Sequence, residues 1–232
     1  MKKFLAALFV TLATIAPVVA QSCTVGVAAA PVGFWTWAPQ SHIQVYISAS
    51  DFEPGEIPYL LTPLTTWNSV SEATGSGVKF EYQGLTTSPL YCENCLTIVR
   101  GQVFDKSKRH LTELKTYSAR KNKIMTWAAI VIDPLLTNPR ALTNALVHEL
   151  GHSFGLLDCY SCKPKSTVML QFKSVNVPND MDQPSNCDVA QVKISYQSVV
   201  AELRRAPQIK PNVVDEGEEP VDDDTPIVIR KP

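Results

Sequence analysis

NPRALTNALVHELGHSFGLLD, residues 138–158, is the most legible stretch of this 232-residue chain. Asn138 offers a side-chain oxygen for an N-cap, and Pro139 takes the first helical position, where a missing N–H costs nothing. Leu142, Leu146, Leu150 and Phe154 recur every four residues, so an apolar stripe runs along one side. Gly155 stands where helices commonly end in a left-handed residue. The spacing predicts a capped helix that begins at Pro139 and stops at a sharp turn around Gly155.

On that helix lies His148-Glu149-Leu150-Gly151-His152, an HExxH motif. Residues i and i+4 stack on one face, so two imidazoles converge on one point and can ligate one metal ion. Glu149 lies beside the first of them, where its carboxylate can reach a metal-bound water without ligating the metal. Zinc lowers the pKa of such a water to about 7, and Glu149 would take its proton during attack on a peptide carbonyl. The same group would then pass the proton to the leaving amine. The plain alternative is two surface histidines flanking an ordinary helix glutamate. The chain has only 4 histidines, and two of them at this spacing inside a capped helix favour the metal.

The motif extends to HELGHSFGLLD, or HExxHxxGxxD, and here the sequence resembles the metzincin clan of zinc peptidases, with a matrixin-like order of elements. The resemblance implies that Gly155 turns the chain out of the helix and that Asp158 supplies a third ligand. It also implies a methionine turn beneath the metal, matched by STVM at 166–169, with Met169 under the site. Most of the clan has His where this chain has Asp158; the Asp form is similar to the small snapalysin-like peptidases. A carboxylate is a legitimate zinc ligand at about 2.0–2.2 Å. It is shorter than imidazole, so the backbone at 158 must come closer to the metal, and its extra negative charge makes the bound water less acidic. Read without the resemblance, Met169 is core filler and Asp158 a loop carboxylate bonded to backbone. A thermolysin-like third ligand would have to be Glu202, and nothing around Glu202 supports that role.

The resemblance covers residues 42–205 and implies an α+β domain. Its parts would be a mixed twisted sheet of about five strands, an N-terminal helix packed on the sheet, the active-site helix and a C-terminal helix. Periodicity alone supplies most of these. HIQVYI (42–47) and VKFEY (78–82) alternate as strands, LTIVRGQVF (96–104) reads as a third, and TELKTYS (112–118) as a weaker edge strand. IMTWAAIVID (124–133) is almost continuously apolar, as expected of a strand buried on both faces. Residues 57–73 carry Leu60, Leu61, Leu64, Trp67, Val70 and Ala73 at helical offsets despite Pro63, and GSG (75–77) stops that helix. A last helix is expected over 187–204.

The two ends of the chain read differently from its middle. MKKFLAALFVTLATIAPVVA (1–20) has a basic start, an apolar run and small residues at its end, the pattern of a cleaved signal peptide. Acylation at Cys23 is disfavoured, because Ala20-Gln21-Ser22 lacks the large aliphatic residue such sites prefer. No later stretch is long and apolar enough to span a bilayer. Residues 21–41 show no clear period. Beyond 205, DEGEEPVDDDTP marks an acidic disordered tail over 206–232, either solvated or docked on the basic run Lys106, Lys108, Arg109, Arg120, Lys121 and Lys123. No internal repeat is visible.

A formal net charge of −1 gives no basic face for nucleic acid. The 6 cysteines, Cys23, Cys92, Cys95, Cys159, Cys162 and Cys187, read as disulfides in an exported chain, with pairings that spacing does not separate. The competing readings are a zinc ribbon from the CxxC pairs and a zymogen thiol at Cys23, though the latter lacks a propeptide pattern. His42 and His110 show no metal-like spacing. The expectation is a secreted, monomeric zinc endopeptidase acting on protein or peptide. Two rivals stand beside it: a two-His-one-carboxylate iron oxygenase, which gives Glu149 no task, and a non-catalytic exported metal-binding module.

Overall fold

Five strands form one sheet in the order β2-β1-β3-β5-β4. Along the chain the elements run β1 (His42–Ser48), α1 (Ile57–Thr74), β2 (Lys79–Thr86), β3 (Cys95–Arg100), β4 (Thr112–Ala119), β5 (Ile124–Ile132), α2 (Pro139–Ser153) and α3 (Asn186–Arg205). Strands β2, β1, β3 and β5 are mutually parallel, and β4 pairs antiparallel with β5 at the sheet edge. The fold is α+β, as the sequence predicts. This computed structural model describes residues 22–33, 35–88, 92–101, 112–119 (as backbone), 124–171 and 181–205. The leader, the acidic tail, the basic run, His110 and the 102–104 end of the expected third strand lie outside them.

Alternation in the strands decides which face is roofed. Ile43, Val45 and Ile47 of β1 enter the core while His42 and Gln44 face solvent, so the sheet is covered on one side there. The expectation for β5 needs one correction. Ile130, Val131 and Ile132 are all buried, but Thr126, Trp127 and Ala129 are only half-buried. The strand is therefore enclosed on both faces near its C-terminal end and covered on one face before it.

Helix α1 tolerates Pro63 for a specific reason. Proline has no N–H to offer the carbonyl four residues back, which is that of Tyr59. The Thr143 hydroxyl, on α2, donates to this carbonyl at 3.1 Å, so the bond lost within α1 is replaced by one between helices. The helix ends at Gly75, whose φ of 72° allows the Ser76 N–H to reach Ser71 O at 3.2 Å. Trp67 then ties α1 to α2: its indole N–H donates to Val147 O at 2.9 Å and its ring stacks on Phe154 at 4.9 Å.

All six cysteines are paired, as Cys23–Cys187, Cys92–Cys95 and Cys159–Cys162. Neither the zinc ribbon nor the Cys23 thiol is compatible with that pairing. The N-terminal segment, aperiodic in sequence, lies along the loop after α2. Lys163 N–H donates to Val27 O and Leu157 N–H to Pro31 O, both at 2.9 Å. No helix among the described residues is long and apolar enough to cross a membrane.

Candidate metal centre

Helix α2 forms as its sequence predicts. The Asn138 side chain accepts from Ala141 N–H at 3.1 Å, and Leu142, Leu146, Leu150 and Phe154 are fully buried. At the far end Gly155 has φ of 84°, and the N–H groups of Gly155 and Leu156 bond back to His152 O and Gly151 O at 2.9 and 3.2 Å. A side chain at 155 would strike Ser195 and Thr36, so both the conformation and the space require glycine. This turn carries Asp158 back over the helix face that bears the two histidines.

The consequence is a convergence of three donors. His148 Nε2 lies 3.1 Å and His152 Nε2 3.5 Å from the same oxygen, Asp158 Oδ1, and the ligand atoms of all three residues fall within 4.8 Å of one another. Donors bound at about 2.1 Å to one tetrahedral ion stand roughly 3.4 Å apart, so these separations suit a shared ion. The other ring nitrogens agree. His148 Nδ1 is 2.8 Å from Val168 O and His152 Nδ1 is 2.8 Å from Leu156 O. A carbonyl can only accept, so Nδ1 carries a proton in each ring, and a neutral ring presents its Nε2 lone pair to the centre. Two lone pairs and a carboxylate oxygen facing one another repel unless a cation lies among them. The residues present fit a divalent metal.

Burial alone would push the Asp158 carboxyl up, yet when a proton on each Nε2 takes the place of a metal, hydrogen bonds from His148 and His152, with their charge, hold it well below the usual carboxylate range. A group so held is already ionised before metal arrives, and stays so until the pH falls well beneath its ordinary value of 3.8. Near neutral pH, metal binding should therefore displace no proton from Asp158. Calorimetric titration in buffers of different ionisation enthalpy measures that count; a carboxyl-type release that grows as pH approaches about 4 would contradict it.

Glu149 is buried in the same helical turn, 1% exposed. Beneath it Met169 is fully buried with its sulfur against Gly151, and Trp67 Cζ2 lies 3.1 Å from where a Cβ on Gly151 would be. The second variable position of the motif, Gly151, is thus a contact point that glycine keeps open. The sequence-predicted residues His148, His152 and Asp158 come together, with Gly155, Glu149 and Met169 around them. Glu202 is exposed near the end of α3. Sequence reading missed Asp188, a fully buried carboxylate that accepts from the Thr167 hydroxyl and from Val168 N–H at 3.1 Å. The available signal was Ser185-x-x-Asp188, a capping-box spacing at the start of α3.

No family model matches the chain, and no curated protein sequence matches it. Among solved structures, metalloproteinase-II from Bacteroides fragilis is similar with a TM-score of 0.45 and 11% identity, over 73% of this chain and 56% of that one. The chain thus spans little more than half the length of that neighbour. A likeness of this size transfers no chemistry from one protein to the other.

Proposed function

We propose that this chain is an exported zinc-dependent endopeptidase, with His148, His152 and Asp158 as metal ligands and Glu149 as general base and acid. One observation carries the reading: two imidazoles with their Nδ1 protons committed to backbone carbonyls turn both Nε2 atoms toward one oxygen of Asp158. Three protein donors suit a catalytic zinc site, which keeps a position open, better than a structural one, which closes with four. Zinc held there would polarise a peptide carbonyl and lower the pKa of water to about 7.

The chain's own residues do the rest. Glu149 accepts the proton of the attacking water and returns it to the leaving amine. Its burial keeps bulk water from competing for that proton. Met169 and Gly151 form the floor on which the ligand-bearing turn of α2 rests. Strand β4 is the sheet edge and lies beside α2, so an extended peptide can add to it as another strand and pass the metal position. Leu157 and Tyr160, on either side of Asp158, are 46% and 44% exposed and offer apolar surface to such a peptide. The peptidase domain spans 42–205, with residues 1–20 as a leader removed on export, residues 206–232 as an acidic tail, and the protein acting as a monomer. Three disulfides accord with an oxidising destination.

The test is incubation of the purified mature protein with a diverse peptide library, with and without chelator, reading cleavage sites by mass spectrometry. Chelator-sensitive cleavage at internal bonds is expected. A library left intact by protein carrying one zinc per chain would overturn the proposal. Iron rather than zinc in protein purified without added metal would point to the oxygenase instead.

A further inference from the structure

The two imidazoles look alike at their first hydrogen bond and differ at the second. His148 Nδ1–H donates to Val168 O, at 2.8 Å. That carbonyl belongs to the peptide whose N–H, on Met169, donates to Thr167 Oγ1 at 3.0 Å. The Thr167 hydroxyl has one proton, and it goes to Oδ1 of Asp188, since a carboxylate oxygen can only accept. The chain is imidazole, peptide, hydroxyl, carboxylate, with every link donating the same way. His152 has the parallel start, its Nδ1–H donating to Leu156 O at 2.8 Å. The N–H of that peptide, on Leu157, donates to Pro31 O at 2.9 Å, so this chain ends on a neutral carbonyl.

We propose that Asp188 is a positioning residue for the metal centre, acting on His148 through Thr167 and the Val168–Met169 peptide. The inference rests on the reading of His148 as a metal ligand. Hydrogen bonds in series polarise one another, so a carboxylate at the far end makes Val168 O a stronger acceptor than Leu156 O. A stronger acceptor holds the Nδ1–H tautomer of His148 more firmly and aims its Nε2 lone pair at the metal position. Metal-bound histidines commonly bond a carboxylate directly; here the carboxylate acts across one hydroxyl and one peptide. The anchor is itself fixed. Asp188 Oδ2 accepts from Val168 N–H at 3.1 Å, Ser185 N–H at 2.9 Å and the Ser185 hydroxyl at 3.0 Å, and Ser185 Oγ accepts from Asp188 N–H at 3.1 Å. The first turn of α3 thereby sets the tautomer of a ligand on α2, 40 residues earlier in the chain.

Thr167→Val tests this, because it deletes the hydroxyl with little change of volume and leaves the bonds of Asp188 to Val168 and Ser185 in place. Zinc affinity, measured by competition with a chromogenic chelator, should fall by about tenfold, while Thr167→Ser should stay within about twofold of the parent. A folded Thr167→Val variant with parental affinity would overturn the proposal. The metal-free parent supplies a second measurement that needs no variant. With ¹⁵N-labelled histidine, the Nδ1 proton of His148 should resonate further downfield and exchange more slowly than that of His152. Equal or reversed behaviour would end the idea, even if Thr167→Val fails to fold. Neither readout depends on peptide cleavage. Unequal protons in a protein that binds zinc and cuts nothing would sustain this inference and end the peptidase reading, and equal protons in an active peptidase would do the opposite.

Discussion

Glu149→Ala is expected to bind zinc as the parent does and to lose peptide cleavage by a factor of roughly 10²–10⁴. The expectation follows from the position of the residue. Glu149 neighbours His148 in sequence and is buried in the same turn, yet it is not one of the three donors that converge. Removing it takes away a proton carrier and leaves the ligand set intact. The effect should fall on kcat, because the proton moves only in the transition state. Metal analysis of the purified variant beside steady-state kinetics on a cleaved peptide gives both numbers. A variant that cleaves as fast as the parent would remove Glu149 from the mechanism, and one that also loses its zinc would make it a structural residue.

Asp158→Ala should act on the metal instead. Two imidazoles on one helix face remain, but the oxygen that both Nε2 atoms face is gone. Outer-shell changes weaken a site by about 10–100-fold, and loss of a direct ligand should exceed that range. Cleavage at limiting zinc should disappear and return only partly with excess metal. Asp158→His is the informative companion. It places at this position the residue the metzincin clan commonly has, but a longer one, in a loop that already holds a short carboxylate 3.1 Å from His148. If Asp158→Ala keeps parental zinc affinity, the third ligand is some other group and the proposed coordination is wrong.

The candidate metal site was more legible than the scaffold that aims it. HExxH on a capped helix, the glycine turn and Asp158 are side-chain signals at fixed local offsets, and helical geometry converts such offsets into directions. The strands with plain alternation, β1 and β2, were readable for the same reason. What escaped was carried by backbone or by distance. The carbonyls of Val168 and Leu156 that set the imidazole tautomers have no residue-type signature. Thr143 bonding to the carbonyl freed by Pro63 joins positions 84 residues apart, so no window along the chain contains both. The partial exposure of β5 depends on what covers its first half, which an apolar run does not report. The N-terminal segment lacks a period because it is fixed by single backbone bonds to the 155–163 loop rather than by a repeating face.

The Cys23–Cys187 bond spans 164 residues, closing a loop around nearly the whole described domain. Loop-closure entropy for that length is about 5 kcal/mol, which equals the entire net stability of many small domains. The bond also fastens the segment around Cys23 to the residue next to Asp188, at the turn that steadies Val168 and Met169. A newly made chain in a reducing cytosol would lack this clamp, and the site proposed to be hydrolytic would be loosely assembled there. If the chain is exported as proposed, oxidation afterwards would finish the proposed peptidase, sparing the cell that makes it from its own product.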